Sequence, residues 1–121
     1  MNDMAFKISY VRVRSKDLQA AREFYEGMLE LPLITENIKR GYCLFDISGI
    51  MLIVETQTPK GMELPMGRYL GISLKTRDIH KVYKRLKEWG VKFTHPPEKQ
   101  FWGGYLTEFY DPDGNLWTLL G

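Results

Sequence analysis

The chain has one cysteine in 121 residues. Cys43 therefore has no internal disulfide partner, and one thiolate cannot build a structural zinc site. It lies in Tyr42-Cys43-Leu44-Phe45, a strand-like run, so a buried apolar role is expected rather than a nucleophile's. There are only two histidines, His80 and His95, and their spacing matches no metal motif. An excess of one charge is also missing. Lys and Arg number 17 against 15 Asp and Glu, a net +2, and the cations are scattered. That balance argues against nucleic acid or an anionic membrane as partner. No apolar run approaches the length needed to cross a bilayer. The first residues, Met1 to Lys7, lack the apolar stretch of a signal peptide, so a cytoplasmic setting is expected. No Gly-rich phosphate loop is present. Ser73 has no histidine at an evident partner position, and Ser48 lies in a turn, so no nucleophile–base pair can be read.

What the chain does have is a repeat. Tyr10-Val11-Arg12-Val13-Arg14-Ser15-Lys16-Asp17-Leu18 returns 61 positions later as Gly71-Ile72-Ser73-Leu74-Lys75-Thr76-Arg77-Asp78-Ile79. Each copy reads as strand, polar turn, capping Asp, helix. Ala21 and Tyr25 of the first helix answer Val82 and Leu86 of the second. Two similar halves that each expose an apolar face must pack on one another.

Lys7 to Arg14 alternates, with Val11 and Val13 on one face and Ile8, Tyr10, Arg12 and Arg14 on the other. Asp17 suits an N-cap, and Leu18, Ala21, Phe24, Tyr25 and Met28 form the inner stripe of the helix that follows. It should fade at Leu29 to Leu31, before Pro32. Strands are expected at about Leu33 to Asn37, Gly41 to Ile47 and Ile50 to Thr56, the last two joined by the tight turn Ser48-Gly49. Thr58 to Met66 has little periodicity and reads as linker. The second half repeats the plan. Tyr69 to Lys75 is a strand. Asp78 caps a helix with inner stripe Ile79, Val82, Leu86 and Trp89, ended by Gly90. Val91 to Thr94 is a strand and His95-Pro96-Pro97-Glu98 a loop. Gly104 to Tyr110 and Asn115 to Leu120 are strands joined by Asp111-Pro112-Asp113-Gly114. The result is an α+β single domain over 1–121, with βαβββ modules at 7–57 and 69–121 and a linker at 58–68. A ferredoxin-like βαββαβ plan leaves the third strand after each helix unexplained.

These residues resemble the vicinal-oxygen-chelate superfamily, which includes glyoxalase I, extradiol dioxygenases and the bleomycin-resistance proteins. Three pieces carry the resemblance: the strand–Ser15-Lys16-Asp17-Leu18–helix entry with Phe24-Tyr25 and Leu29, its second copy ending in Gly90-Val91, and the close from Trp102-Gly103-Gly104-Tyr105 to Asp111-Pro112-Asp113-Gly114-Asn115. The resemblance implies paired βαβββ modules whose mixed sheet curls into a U around a cavity, and a homodimer. It also implies where metal-dependent relatives place their ligands, on the first and last strands of each module. Those positions are Tyr10, Ile53, Gly71 and Thr118 here. None supplies an imidazole or a carboxylate, so no metal and no other cofactor is expected.

With the helix-packing residues set aside, the cavity face carries Tyr10, Arg12, Arg14, Met51, Ile53, Glu55, Gly71, Ser73, Leu116 and Thr118. Such a mixed wall suits a small molecule. An inward Arg12 at mid-strand needs an anionic partner. Glu55 is one candidate, and a ligand carboxylate or phosphate held bidentately is the other. Trp102, in a loop with two glycines, could stack on a ligand, cap the core or meet a dimer partner. Tyr105 and Phe109 are further wall candidates, and Trp117 belongs to the helix-side core. The expected ligand-binding set is thus Tyr10, Arg12, Met51, Ile53, Glu55, Ser73, Trp102 and Thr118. No catalytic residue can be named. Three readings stay open: metal-independent binding of an amphipathic small molecule; a metal-dependent lyase, isomerase or dioxygenase with displaced ligands such as Glu55, Glu108 and His95; and a non-catalytic dimeric interaction module.

Overall fold

The structure is a computed structural model, and it describes residues 4–56 and 65–121. Most of the expected linker falls outside those residues. The elements are β1 (Tyr10–Arg14), α1 (Leu18–Arg22) continuing into a π-helical turn (Glu23–Met28), β2 (Leu33–Asn37), β3 (Tyr42–Ile47) and β4 (Ile50–Glu55). After the linker come β5 (Tyr69–Lys75), α2 (Ile79–Glu88), β6 (Glu98–Lys99), β7 (Tyr105–Tyr110) and β8 (Leu116–Leu120). They form two four-stranded mixed sheets, ordered β1-β4-β3-β2 and β5-β8-β7-β6. In each sheet the first strand pairs in parallel with the last, and the other pairs are antiparallel. This is the twofold βαβββ plan.

Local chemistry explains the boundaries. The Asp17 carboxylate accepts the N–H groups of Gln19 at 3.1 Å and Ala20 at 3.2 Å. Asp78 accepts that of Lys81 at 3.1 Å. Each satisfies donors that the first helical turn leaves open. Ser48 and Gly49 both have positive φ, 49° and 92°, the backbone twist that a two-residue hairpin turn requires.

Three expectations need correction. Lys7 to Ser9 are not part of β1. The ladder starts where Tyr10 meets Met51, and just before it the Ser9 carbonyl accepts from the Met51 N–H at 3.3 Å. Val91 to Thr94 shortens to a single antiparallel bridge of Phe93 to Phe109, flanked by hydrogen bonds from the Thr94 N–H to Glu108 O at 3.0 Å and from the Tyr110 N–H to Lys92 O at 2.9 Å. The edge strand is instead β6, at the end of the expected loop. Pro96 and Pro97 have no N–H to donate, so the ladder waits for Glu98. Trp89 is not in the buried stripe. It stands just past the end of α2, is 45% exposed, and carries the Arg85 guanidinium over its ring at 5.5 Å.

The core joins the helix-facing sides of both sheets. Val13, Cys43, Phe45, Leu52 and Val54 come from the first, Phe109, Trp117 and Leu119 from the second, and Ala21, Phe24, Tyr25, Ile79 and Leu86 from the helices. Cys43 is fully buried there, as its strand context predicts. The wide π turn, marked by the Leu29 N–H reaching Phe24 O at 3.0 Å, lets the consecutive Phe24 and Tyr25 both turn inward.

Tyr25 then ties the modules together. Its hydroxyl donates to Asp111 Oδ2 at 2.6 Å and accepts from Trp117 Nε1 at 3.0 Å. Asp111 Oδ1 also accepts the N–H groups of Asp113 and Asn115, both at 2.9 Å. The Asn115 amide donates to Asp111 Oδ2 at 3.0 Å and to the Arg14 carbonyl at 2.9 Å. Burial, and next the Asp111 charge, push the Tyr25 hydroxyl well above the usual phenol range. It therefore stays a donor at any physiological pH. Burial raises the Asp111 carboxyl, and the hydrogen bonds from Tyr25 and Asn115 oppose that rise. A buried carboxylate is tolerated here because its acceptor capacity is filled.

Candidate functional site

The sheet faces turned away from the helices carry the expected wall. Strand alternation puts Tyr10, Arg12 and Arg14 of β1 beside Met51, Ile53 and Glu55 of β4, residue for residue in the parallel ladder. Arg12 Nη1 lies 2.9 Å from both carboxylate oxygens of Glu55. Glu55 is 6% exposed, while the Arg12 side chain is about half open to solvent. Of the two partners open to Arg12 from sequence, the structure thus provides Glu55. The guanidinium keeps a solvent-facing side, but its charge is already balanced.

The next arginine is different. Arg14 stands opposite Glu55 in register, yet its Nε is buried with no hydrogen-bond partner. Arg68, the linker residue just before β5, reaches the first sheet, where its Nη2 donates to the Arg12 carbonyl at 3.4 Å. Its Nε is likewise buried and unpartnered. Sequence reading placed Arg14 on this face but missed Arg68, because parity cannot be counted for a residue just outside a strand. On the second sheet, Ser73 and Thr118 are register partners. Thr118 is 5% exposed and its hydroxyl has no partner.

The expected residues therefore form two groups. Tyr10, Arg12, Met51, Ile53 and Glu55 gather on the first sheet. Ser73 and Thr118 adjoin on the second, and the Arg68–Arg12 contact spans the seam between them. Trp102 stands apart, in the loop between β6 and β7. It is 53% exposed and packs edge-to-face on Phe101 with centroids 5.2 Å apart, so it does not cap the core. Phe109 is not a wall residue; it is fully buried on the helix side. Tyr105 packs on that side too, edge-to-face on His80 of α2.

A metal of the family's kind does not fit these donors. Tyr10, Ile53, Gly71 and Thr118 offer neither imidazole nor carboxylate. Glu55 is engaged by Arg12 on the first sheet. His95 and Glu108 lie on the second, with His95 Nε2 3.8 Å from Glu108 Oε1 and His95 Nδ1 3.3 Å from Glu98. Among the described residues no group of three or more His, Cys, Asp or Glu is placed to hold a metal ion.

Clefts also open among the described residues, away from the Tyr10–Met51–Ile53 wall. One of about 260 Å³ is lined by Phe24, Met28, Val91, Tyr110 and Asp111 among others. A larger one, about 610 Å³, lies between the end of the first helix, the β3–β4 turn, β5 and α2. No sequence argument pointed to it, since it depends on how the two halves meet.

Comparison with known proteins agrees with this architecture. The model of the Glyoxalase/Bleomycin resistance protein/Dioxygenase superfamily matches residues 7–119, and the chain belongs to that superfamily. A crystal structure of a superfamily member from Sphaerobacter thermophilus DSM 20745 is 33% identical, superimposes with a TM-score of 0.79, and is matched over 97% of this chain and 98% of that one. TnmS3, an antibiotic binding protein from Streptomyces sp. CB03234, is 26% identical with a TM-score of 0.80, over 98% of this chain and 97% of its own. An uncharacterized protein from Shewanella frigidimarina (strain NCIMB 400) is 28% identical over 97% of this chain and 94% of its own length.

The Arg12–Glu55 pair makes a prediction about stability. Arg12→Ala leaves a buried carboxylate unpaired and should lower urea-unfolding stability by about 1–3 kcal/mol. Replacing both residues by Leu should recover most of that loss, because the buried charge goes with its partner. A single variant as stable as the parent would show that the pair contributes nothing.

Proposed function

We infer that the chain is a metal-independent binding protein that takes an amphipathic small molecule on the open face of its two sheets. The observation that carries this reading is the wall itself. Its four family ligand positions hold Tyr10, Ile53, Gly71 and Thr118, while Arg14 Nε, Arg68 Nε and the Thr118 hydroxyl are buried polar atoms with no protein partner. Such atoms favour a ligand that completes their hydrogen bonds. Met51 and Ile53 supply apolar surface between them, and Tyr10, Ser73 and the exposed side of Arg12 supply polar edges. Trp102 is a stacking surface at the periphery. The likeness to TnmS3, an antibiotic binding protein, supports the same class of activity. The metal-dependent alternative would need Glu55 to leave Arg12 and to meet His95 and Glu108 from the other sheet, and no distance favours it.

The test is a melting screen of amphipathic aromatic compounds, run with and without EDTA. A bound compound should raise the melting temperature equally in both, and Tyr10→Ala and Thr118→Val should reduce the gain. A hit that stabilises only with a stoichiometric divalent ion would reject the reading.

The same reading makes the chain a homodimer. Phe6 and Ile8, 85% and 68% exposed, lie just before β1. Large apolar side chains presented together mark an association surface. Sedimentation should give twice the 14.2 kDa chain mass, and Phe6→Ser with Ile8→Ser should shift it to the monomer. A parent protein that sediments as a monomer would contradict this.

A further inference from the structure

The two halves are related by the repeat, and the relation extends to the contacts between them. Asp17 and Asp78 both cap helices, so Tyr25 of the first corresponds to Leu86 of the second, at the same spacing. In the sheets, Phe45 pairs with Leu52 as Phe109 pairs with Trp117. Leu52 therefore answers Trp117, and Ile47, two residues after Phe45, answers Asp111, two after Phe109.

At the first seam, the helical residue Tyr25 meets Asp111 and Trp117 of the other module and fills the space with an aromatic, hydrogen-bonded plug. At the second seam the equivalent residues are Leu86, Ile47 and Leu52. Leu86 and Leu52 are smaller than Tyr25 and Trp117, Ile47 replaces the hydrogen-bonding Asp111 with an aliphatic group, and none of the three is polar. Leu86 and Ile47 line the 610 Å³ cleft. The cleft is what the repeat leaves open where the plug is absent. Its volume is in the range of small-molecule sites.

The lining gives the class of ligand. Leu29, Leu31, Ile50, Leu74, Val82 and Leu119 make most of the remaining wall aliphatic, with Ser48, Ser73 and Thr76 as its uncharged polar members. Three charged residues border it: Glu30, Arg85 and Lys75. Arg85 and Glu30 pair with each other at 3.2 Å. Lys75 is exposed and has no carboxylate within ion-pair distance among the described residues. An aliphatic chamber with one uncompensated cation at its rim complements an alkyl chain ending in an acid.

We propose that the second seam is a binding site for an aliphatic carboxylate, distinct from the wall that Tyr10, Met51 and Ile53 form on the first sheet, none of which lines it. The alkyl chain lies against Leu74, Leu86, Ile47 and Leu119, and the carboxylate meets Lys75. Burial of the chain supplies most of the affinity, and Lys75 sets the preference for an acid over an alcohol.

Calorimetric titration with decanoate and with decan-1-ol tests this on the full chain. Decanoate should bind with one site and more tightly than the alcohol. Ile47→Trp, which puts a large side chain into the cleft, should weaken decanoate by about tenfold or more. Val82→Phe should act in the same direction, should the first variant fold poorly. Lys75→Gln should remove the preference for the acid while leaving the alcohol unchanged. Ile53→Trp, on the sheet wall, should leave decanoate binding as it is. Decanoate binding that survives both Ile47→Trp and Val82→Phe, or no binding at about 1 mM, overturns the proposal. Binding blocked by Ile53→Trp and not by Ile47→Trp also overturns it, and would place the molecule on the sheet wall instead.

Discussion

The contact on which the rest of the structure depends is the buried hydroxyl of Tyr25. It joins a helix of the first module to the last hairpin of the second, through Asp111 and Trp117. Each half alone presents an apolar sheet face and one helix, which is too little to form a core. The plug turns two such halves into one body. Its polar atoms matter as much as its rings. A buried Asp111 with fewer donors would destabilise the fold, and the π turn that delivers Tyr25 beside Phe24 would have no reason to persist. The Asn115 amide extends the same network to the Arg14 carbonyl, so the end of β1 is held by the other module.

That restraint has consequences for the open face and for the second seam. On the open face, it sets β1 beside the start of β5, where Arg68 reaches the Arg12 carbonyl. Arg12 is balanced by Glu55, and the unfilled hydrogen-bonding capacity lies with Arg14, Arg68 and Thr118. Between the modules, closing one seam with large side chains and the other with aliphatic ones makes the pair of halves unequal. A duplicated fold can thus keep one seam for cohesion and have the other free to accept a ligand.

Much of this architecture is legible in the residues. The repeated Asp caps, the Ser48-Gly49 turn, the buried Cys43 and the alternation of β1 are local signals, and local signals survive into the fold. The departures have tertiary causes. Lys7 to Ser9 alternate like strand residues, but the partner strand starts too late to pair with them. Trp89 fits the helical stripe, yet it falls past the last turn of α2, where there is no core to meet. The two prolines interrupt the edge, leaving a single bridge at Phe93 before them and the two-residue strand Glu98–Lys99 after them. The candidate wall was legible by parity for Tyr10, Arg12, Arg14, Met51, Ile53 and Glu55, because β1 and β4 are regular. Arg68 and the second seam were not. Neither is a property of one strand or helix; both arise from how the modules dock.

The most direct test of that docking is a double-mutant cycle on Tyr25→Phe and Asp111→Asn, read by chemical denaturation. A shared buried hydrogen bond predicts that the two losses are not additive, with a coupling of about 1 kcal/mol or more. Strict additivity, with each change acting as though the other residue were absent, would contradict the claim that this contact holds the halves together.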